Sequence, residues 1–426
     1  MDVMYPRVAG LDIHKKLIVA CRIIPGAGAQ AQREVRSFGA TTAAIEDLGD
    51  WLAEGDVTHV AMEATSVYWK PIFNLLEDRF ALVLANAQHI KGVPGRKTDV
   101  KDSEWIADLL RHGLIKGSFV PDRAQRELRE LTRYRTSLVR ERAAVANRIQ
   151  KTLEGANIKL GDVATDVLGQ SGRAILEDLV AGESDPTILA GHARGQMKSK
   201  RSALQEALRG SIGPHQRFLL EQQLGHIDCL EWLIGRVEAE VSARLEADAA
   251  SVPGVPDGDG APASGTEAVA RLDTIPGVGR RVAEVVVAEI GRDMSRFPSA
   301  DHLASWAGLT PGHHESAGKR YSGRTRKGSP ALRVALVEAA RAAARTHTYL
   351  GAQFRRLAAR RGGKRAAIAV AHSILVIAYH LLRDGGVYED LGQTYFDQRD
   401  KTRVTQRLLQ RLRNLGVAVE VQPATT

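Results

Sequence analysis

The sequence predicts an α/β domain at the N-terminus, followed by a long-helix arm and an all-α C-terminal domain. Strand and helix patterns alternate over the first 110 or so residues, and only helix patterns follow Pro121. A Pro/Gly/Asp/Ser-rich run at 251–266 has the composition of a linker. A chain of 426 residues is long enough for two or three domains. We therefore expect a domain at 1–120, a helical arm at 121–250, the linker, a domain at 267–395, and a basic helix with a tail at 396–426.

In the first domain, runs rich in β-branched residues alternate with amphipathic runs. We predict five strands, at 7–13, 17–24, 33–38, 58–63 and 80–86, and three helices, at Thr42–Glu54 with Thr41 as its cap, at Tyr68–Glu77, and from near Asp99 to Gly113. The resulting order, β-β-β-α-β-α-β-α, is typical of a ribonuclease-H-like fold. The sequence thus predicts an α/β domain of that type.

Long helices are predicted from Arg123 to Gly155 and from about Gln196 to Glu246. Leu131, Leu138 and Val145 recur at heptad spacing with Leu128 and Tyr134 beside them, which favours coiled-coil pairing. The run Ala366–Leu382 is apolar, but it contains two histidines and is shorter than the roughly 20 residues of a membrane span. We interpret it as a buried helix and expect no membrane partner.

The positive charge is concentrated in one part of the chain. The net charge is +9 and the pI about 9.6, but residues 1–122 hold 14 basic and 16 acidic residues, which leaves +11 for the remainder. The two cysteines, Cys21 and Cys229, argue against a disulfide framework or a CxxC zinc site. The first residues do not resemble a secretory signal. A polyanion-binding protein of the reducing cytoplasm is expected.

Four carboxylates in the first domain are candidates for one metal site. Asp12 ends the first strand, Glu63 ends the fourth, and Asp99 and Asp102 lie one turn apart at the start of the closing helix. Close carboxylates repel one another unless a divalent cation neutralises them, and oxygen ligands favour Mg²⁺ or Mn²⁺. Two such ions are the usual device for phosphoryl transfer. The alternative is that each acid is structural, at a strand end or on a helix dipole.

The segment IPGVG at 275–279 has the form of a helix-hairpin-helix. Its glycines, Gly277 and Gly279, would free backbone N–H groups at a helix N-terminus to bind a phosphate without reading bases. The alternative is an ordinary turn between helices.

Farther along, a polar loop contains Ser316 and Ser322 and continues into a strongly basic stretch. From Lys319 to Arg365 there are 14 Lys/Arg against one acid, and Arg123–Lys151 has nine against three. Clustered cations favour nucleic-acid phosphates. By chemistry alone Ser316 would be a capping or hydrogen-bonding residue, because no adjacent base is visible. His313 and His314 are interpreted as solvated loop residues, the alternative being that they assist Ser316 or ligate a metal. The predicted nucleic-acid contacts are Lys15, Lys97, Arg129, Arg133, Gly277, Gly279, Lys319, Arg320, Arg324, Arg326, Lys327 and Arg333.

Taken in order, these motifs resemble the insertion sequence 110 family of transposases over nearly the whole chain. The resemblance lies in GLDIHK, AMEATSVYW, GRKTDVKDSEWIADLLRHGL, IPGVG, GLTPGHHESAGK, KGSPALR and YFDQRD. It implies a RuvC-like Asp-Glu-Asp-Asp site formed by Asp12, Glu63, Asp99 and Asp102 with Mg²⁺, and Ser316 as a nucleophile that forms a phosphoserine link to DNA. The family's usual Ser-Gly-Gly reads Ser316-Ala317-Gly318 here, so Ser322 remains an alternative nucleophile.

The resemblance further implies dimers that pair into tetramers and a structured noncoding bridge RNA that selects donor and target DNA. Two alternatives remain open. One is a RuvC-like junction nuclease in which water attacks and no serine link forms. The other is a non-enzymatic nucleic-acid-binding protein, against which the four intact carboxylates argue.

Overall fold

The protein is described from a computed structural model, in which the chain divides into two compact units, Met1–Arg123 and Ala124–Thr426. Each unit is described by itself. The described residues are 2–26, 30–64, 66–85, 102–115, 117–250, 264–312, 314–316, 319–322, 325 and 327–417, with the backbone alone at 248–250, 314–316 and 319–322. The finer predicted division into arm, linker, C-terminal domain and tail stays a prediction.

The first unit contains a five-stranded mixed sheet in the order β3-β2-β1-β4-β5. Strands β1 and β2, and β2 and β3, pair antiparallel, whereas β1 and β4, and β4 and β5, pair parallel. The elements are β1 (Val8–Ile13), β2 (Leu17–Pro25), β3 (Ala31–Gly39), α1 (Thr42–Glu54), β4 (His59–Glu63), α2 (Trp69–Leu76), β5 (Ala81–Ala85) and α3 (Asp102–Arg111).

Two hydrophobic cores lie on opposite faces of this sheet. On one face, the side chains of Leu11 and Met62 pack with apolar residues of α1 and α2. On the other face, Val8 and Ala61 pack with the apolar stripe of α3. Because successive side chains of a strand point to opposite faces, the nearly continuous apolar runs of β1 and β4 serve both cores. The unit is therefore a three-layer α/β/α arrangement.

The predicted order of elements in this unit is confirmed, with boundaries that agree to within a few residues for the described elements. Thr41 caps α1 as predicted, because its hydroxyl accepts from the backbone N–H of Ala44 at 3.4 Å. Gly113 follows α3 with φ of +68°, the left-handed conformation expected just after a helix end. These local signals were readable because each depends on one or two neighbouring residues.

The second unit is mostly helical. Its helices are α4 (Arg123–Gly155), α5 (Leu160–Val163), α6 (Gln170–Ala181), α7 (Pro186–Leu189), α8 (Arg201–Ala207), α9 (Pro214–Ala250), α10 (Gly265–Asp273), α11 (Arg280–Ile290), α12 (Ala300–Trp306), α13 (Pro330–Ala343), α14 (Tyr349–Arg361), α15 (Gly363–Asp384), α16 (Tyr395–Gln398) and α17 (Lys401–Asn414). Short 3₁₀ turns lie at Ala190–His192, Gly195–Lys200 and Met294–Arg296. Two strands, β6 (His314–Ser316) and β7 (Lys319–Ser322), form a hairpin.

The long helices α4 and α9 run antiparallel. Contacts join residues early in α4 to residues late in α9 and the reverse: Glu127 with Arg244, Arg142 with Glu231, and Thr152 with Gln223. Leu128, Leu138 and Val145 are buried as the heptad predicts. Leu131 is only partly buried and Tyr134 is 50% exposed, so the buried stripe passes through Thr132 and Arg135 instead. Coiled-coil packing itself stays a prediction.

Three expectations for this unit are wrong in detail. The predicted helix at 196–246 is interrupted, because α8 ends at Ala207 and α9 begins only at Pro214, after the two glycines of the segment RGSIGP. The C-terminal region is mostly helical as predicted, but it is not all-α, because β6 and β7 form an antiparallel pair. The end of the expected linker is already helical, since Ser264 caps α10 through the N–H of Glu267. Residues 251–263 lie outside the described part of the chain.

Helix α15 is the predicted buried helix. By length and composition alone it is apolar enough to cross a membrane, but in this fold it is a core element. Ala366, Val370, Ile374 and Ala378 are buried along one side. The hydroxyl of Tyr379 donates to the carbonyl of Phe297 at 3.1 Å, which ties the helix to the rest of the unit.

Candidate active site

The sheet brings Asp12 and Glu63 to the same edge. Strands β1 and β4 are parallel neighbours, and the last pair in their register is Leu11 with Met62. Asp12 and Glu63 are the next residue of each strand, so they lie side by side at the carboxyl ends. The side chain of Asp12 is 26% exposed, and Glu63 is also partly buried. Strands one and four are therefore adjacent in the sheet, as the sequence predicted.

Helix α3 begins on the face of the sheet to which these two carboxylates belong. A side chain at Gly10 would lie 2.3 Å from the carbonyl oxygen of Ser103, so Gly10 faces α3 and allows its backbone to approach. Side chains two residues apart on a strand point to the same face, so Asp12 has the orientation of Gly10. For the same reason Glu63 has the orientation of Ala61, which is buried on that face. Asp102 is the first residue of α3, next to Ser103. Asp99 lies outside the described residues.

The immediate neighbour of Asp12 is His14, whose Nε2 lies 3.2 Å from the Asp12 carboxylate. Within the described part of the chain, no three His, Cys, Asp or Glu side chains come together as a metal-binding group. The donor chemistry of Asp12, Glu63 and Asp102 suits a hard divalent cation. A metal centre there stays a prediction that includes the undescribed Asp99.

Ser316 stands at the tip of the β6–β7 hairpin. It pairs with Lys319 in the register, and the two residues between them lie outside the described set. The sequence reasoning missed these strands because the segment reads as a polar loop. The signal for them was the two-residue gap Ala317-Gly318 between short runs, the spacing of a tight hairpin. Ser322 lies at the far end of β7, opposite His314.

The base of this hairpin is held closed by Arg333 on α13. Its guanidinium donates to the carbonyl of Gly308 at 2.7 Å and also to the hydroxyl of Thr325. A β-bridge joins Pro311 to the same Thr325. At Gly328 any side chain would collide with the backbone of Ala307 and Gly308. The two ends of the segment that carries Ser316 are therefore fixed to each other, and Arg333 has an intramolecular role besides the predicted nucleic-acid contact.

A buried carboxylate connects the hairpin base to the long helix α4. Glu289 of α11 is fully buried and accepts two hydrogen bonds from Arg133, at 2.7 and 2.9 Å. The Ser329 hydroxyl also donates to Glu289, at 3.0 Å, and caps α13 through the N–H of Leu332. Arg129 donates to the carbonyl of Ala288 at 3.0 Å. Arg129 and Arg133 thus have partners within the unit, and whether they also bind nucleic acid stays a prediction.

Sequence reasoning missed Glu289 and its neighbour Glu284, which is also fully buried and lies 2.7 Å from Arg135. The signal was available in the run VAEVVVAEIG, where two acids interrupt an apolar helix. Buried carboxylates almost always have partners, so arginines from another helix were to be expected.

The IPGVG segment forms the turn between α10 and α11. Gly277 has φ of +87°, and a side chain there would lie 2.3 Å from the carbonyl oxygen of Ala339, so packing on α13 already requires glycine. Gly279 has open space around its α-carbon and immediately precedes α11. A helix-hairpin-helix role for this turn stays a prediction.

The remaining predicted nucleic-acid contacts are scattered. Lys15 is exposed in the turn between β1 and β2, and Lys327 is exposed near the hairpin base. Only the backbone of Lys319 and Arg320 is described. Three further predicted contacts, Lys97, Arg324 and Arg326, lie outside the described residues, as does His313.

Comparison with known proteins identifies two regions of the chain. Residues 9–158 match the transposase model DEDD_Tnp_IS110, and residues 269–355 match the model described as transposase of the IS116/IS110/IS902 family. The first region contains all four predicted carboxylates, and the second contains IPGVG and the Ser316 hairpin.

Curated relatives agree with these matches. The chain is 27% identical over 290 residues to a probable family 20 transposase of Pseudomonas aeruginosa, an alignment that covers 67% of this chain and 71% of that protein. It is 35% identical over 123 residues to an insertion element IS110 protein of Streptomyces coelicolor, covering 28% of this chain and 29% of the other. A pilin gene-inverting protein of Moraxella bovis is 53% identical over 45 residues, 11% of this chain and 14% of the relative. The chain belongs to the IS110 family of transposases, and it is an enzyme that cleaves and rejoins DNA.

Proposed function

We propose that this transposase exchanges DNA strands through a phosphoserine intermediate on Ser316, with a divalent cation, Mg²⁺ or Mn²⁺, at Asp12, Glu63, Asp99 and Asp102. The observation that carries the proposal is the register of β1 and β4, which sets Asp12 beside Glu63 on the face where α3 begins at Asp102. A bound divalent cation would polarise the scissile phosphate and stabilise the charge that develops in the reaction. The sheet supplies a rigid support for these oxygen donors.

The proposed chemistry balances without water or an energy source. The Ser316 hydroxyl loses its proton as its oxygen bonds to phosphorus, while the bond from phosphorus to one DNA oxygen breaks and that oxygen takes a proton. Rejoining is the same exchange in reverse, with a hydroxyl of a second strand as the attacking group. A serine hydroxyl is a weak nucleophile, so activation must come from the proposed metal site and from cations near the hairpin.

The proposed partners are donor and target DNA, a structured noncoding guide RNA, and further copies of the chain, as a dimer that pairs into a tetramer. The two parts of the proposed site belong to different compact units, and composite sites formed across a dimer would bring them together. We place the activity in the bacterial cytoplasm. The name of one relative, a pilin gene-inverting protein, refers to a DNA rearrangement. This supports the proposal of site-selective strand exchange.

A denaturing gel tests the proposal. With end-labelled element DNA, guide RNA and Mg²⁺, the wild type should yield a protein–DNA adduct that survives denaturation. Ser316→Ala should abolish the adduct but bind DNA, Asp12→Asn should prevent it, and EDTA should act as the metal-free control. Loss of the adduct in Ser322→Ala, with Ser316→Ala active, would move the nucleophile to Ser322. Metal-dependent cleavage without an adduct in the wild type would favour the hydrolytic nuclease instead.

A further inference from the structure

Near the C-terminus, α14, α16 and α17 enclose an open groove of about 1000 Å³. Five arginines line it: Arg355, Arg356 and Arg360 of α14, and Arg403 and Arg407 of α17. Small-molecule sites are mostly apolar with a few polar groups. A wall dominated by guanidinium groups instead indicates an anionic ligand.

Most of this charge has no partner inside the protein. Arg355 donates to the carbonyls of Ala344 and Thr346, at 3.1 and 2.9 Å, and Arg356 lies 3.8 Å from a carboxylate oxygen of Asp397. The other acid in the groove, Asp400, caps α17 through the backbone N–H of Arg403.

The side chains of Arg360, Arg403 and Arg407 have neither an ion pair nor a hydrogen bond among the residues that the structure describes. Their unit pairs its arginines with acids elsewhere, as at Glu284 and Glu289. Three guanidinium groups without an intramolecular partner in the described part of the chain therefore line this one groove.

The arginines also form two short rows. Arg356 and Arg360 are four residues apart on α14, and Arg403 and Arg407 are four apart on α17, so each pair lies on one helix face with about 6 Å of rise between its members. Rows of cations along a groove suit a linear polyanion better than a single small anion. The counterions that a polyanion releases on binding add a favourable free energy for each neutralised phosphate.

We infer that this groove binds the sugar–phosphate backbone of a nucleic acid. The inference rests on the proposed function only in that it assumes a nucleic-acid partner, and it needs none of the cleavage chemistry. The stretch Lys319–Arg365, predicted to contact nucleic acid, includes Arg356 and Arg360, and the groove adds Arg403 and Arg407 of α17 to them. DNA and RNA share the recognised chemistry, and the experiment distinguishes them.

The test uses the full-length protein with Arg360, Arg403 and Arg407 all changed to Gln. Equilibrium binding is measured over a range of salt concentrations with two probes of equal phosphate number, a DNA duplex and an RNA hairpin. If the three arginines contact phosphates, the slope of log K against log [salt] should become shallower by about 2 to 3, because each contact contributes roughly 0.7 to 0.9. A loss confined to the RNA probe assigns the groove to the guide, a loss confined to DNA assigns it to donor or target, and a loss on both assigns it to either backbone.

The matched control removes three charges elsewhere in the unit, at the exposed residues Lys198, Arg209 and Arg236. An equal change of slope in the control would overturn the inference, because it would show an effect of net charge alone. Unchanged slopes with both probes in the groove variant would also overturn it. Neither result bears on adduct formation by Ser316, which tests the proposed function separately.

Discussion

Two arginine-rich regions of the second unit use the same side chain in opposite ways. Between α4 and α11, Arg133 and Arg135 neutralise Glu289 and Glu284, two carboxylates with no exposed side-chain surface. In the groove of α14 and α17, Arg360 and Arg407 form no ion pair with an acid among the described residues. The first region is a structural connection between helices, and the second is a surface whose charge remains available to a ligand.

This difference shows what a count of charges along the sequence leaves out. The stretch Arg123–Lys151 was predicted to contact nucleic acid because nine basic residues stand against three acids. Several of its arginines form ion pairs with acids on another helix, about 150 residues later in the chain. Charge density within a window therefore does not distinguish a binding surface from one half of a buried network.

The largest effect is expected from breaking the buried network. Arg133→Met leaves Glu289 buried without its two-bond partner, which should lower the free energy of unfolding by about 3 kcal/mol. Arg142→Met, nine residues along the same helix, breaks a more exposed pair with Glu231 and should cost at most about 1 kcal/mol. Urea denaturation of both variants measures the difference. Equal losses would contradict the role of Arg133 as the partner of the buried Glu289. A change in the salt dependence of DNA affinity would show that Arg133 also contacts nucleic acid, as the sequence predicted.

A second prediction concerns the arginine that closes the hairpin. Arg333→Lys removes the guanidinium that joins Gly308 to Thr325, and a lysine ammonium does not reproduce that planar fork. Adduct formation should slow by about ten- to a hundredfold, because a displacement of roughly 1 Å in a reacting group has that effect. DNA affinity should hold within about twofold, a difference of about 0.4 kcal/mol. Arg341→Lys, at an exposed position of the same helix, is the control. Loss of affinity with an unchanged adduct rate would make Arg333 a phosphate contact and not a positioning residue.

The third prediction concerns Ser329, which contacts the buried Glu289 of the first region. Ser329→Ala removes both the cap of α13 and a hydrogen bond to Glu289, so unfolding should require about 1 to 2 kcal/mol less. Ser299→Ala, which removes the equivalent cap of α12 and leaves the buried carboxylates untouched, isolates the capping part. If the two variants lose the same stability, the bond from Ser329 to Glu289 contributes nothing measurable.

The sequence predicted most of the first unit and much less of the second, for physical reasons. The strands ending at Asp12 and Glu63 are short apolar runs bounded by turns, and strand adjacency follows from the order of elements. The hairpin at Ser316 has only three or four residues in each strand, so it carries little periodic signal. The closure by Arg333 and the burial of Glu289 depend on contacts between distant segments, which no local pattern contains.

The smallest effect extends the same contrast to the two cysteines. Cys21 is buried in the sheet, where desolvation and, to a lesser degree, the charge of Glu104 raise its thiol pKa from 9.0 to about 12, whereas Cys229 is exposed on α9. Because the thiolate is the reactive form, a thiol reagent at pH 8 should modify Cys229 in the native protein and leave Cys21 unmodified. Mass spectrometry should therefore find one label per chain in the native protein and two after unfolding. The native Cys229→Ser variant, as the control, should carry no label. Since the folded pKa of Cys21 is the raised one, its contribution to stability is present below about pH 9 and is lost as the pH rises toward 12. Rapid labelling of Cys21 at pH 8 would mean that the sheet opens around β2, and would contradict its place in the core.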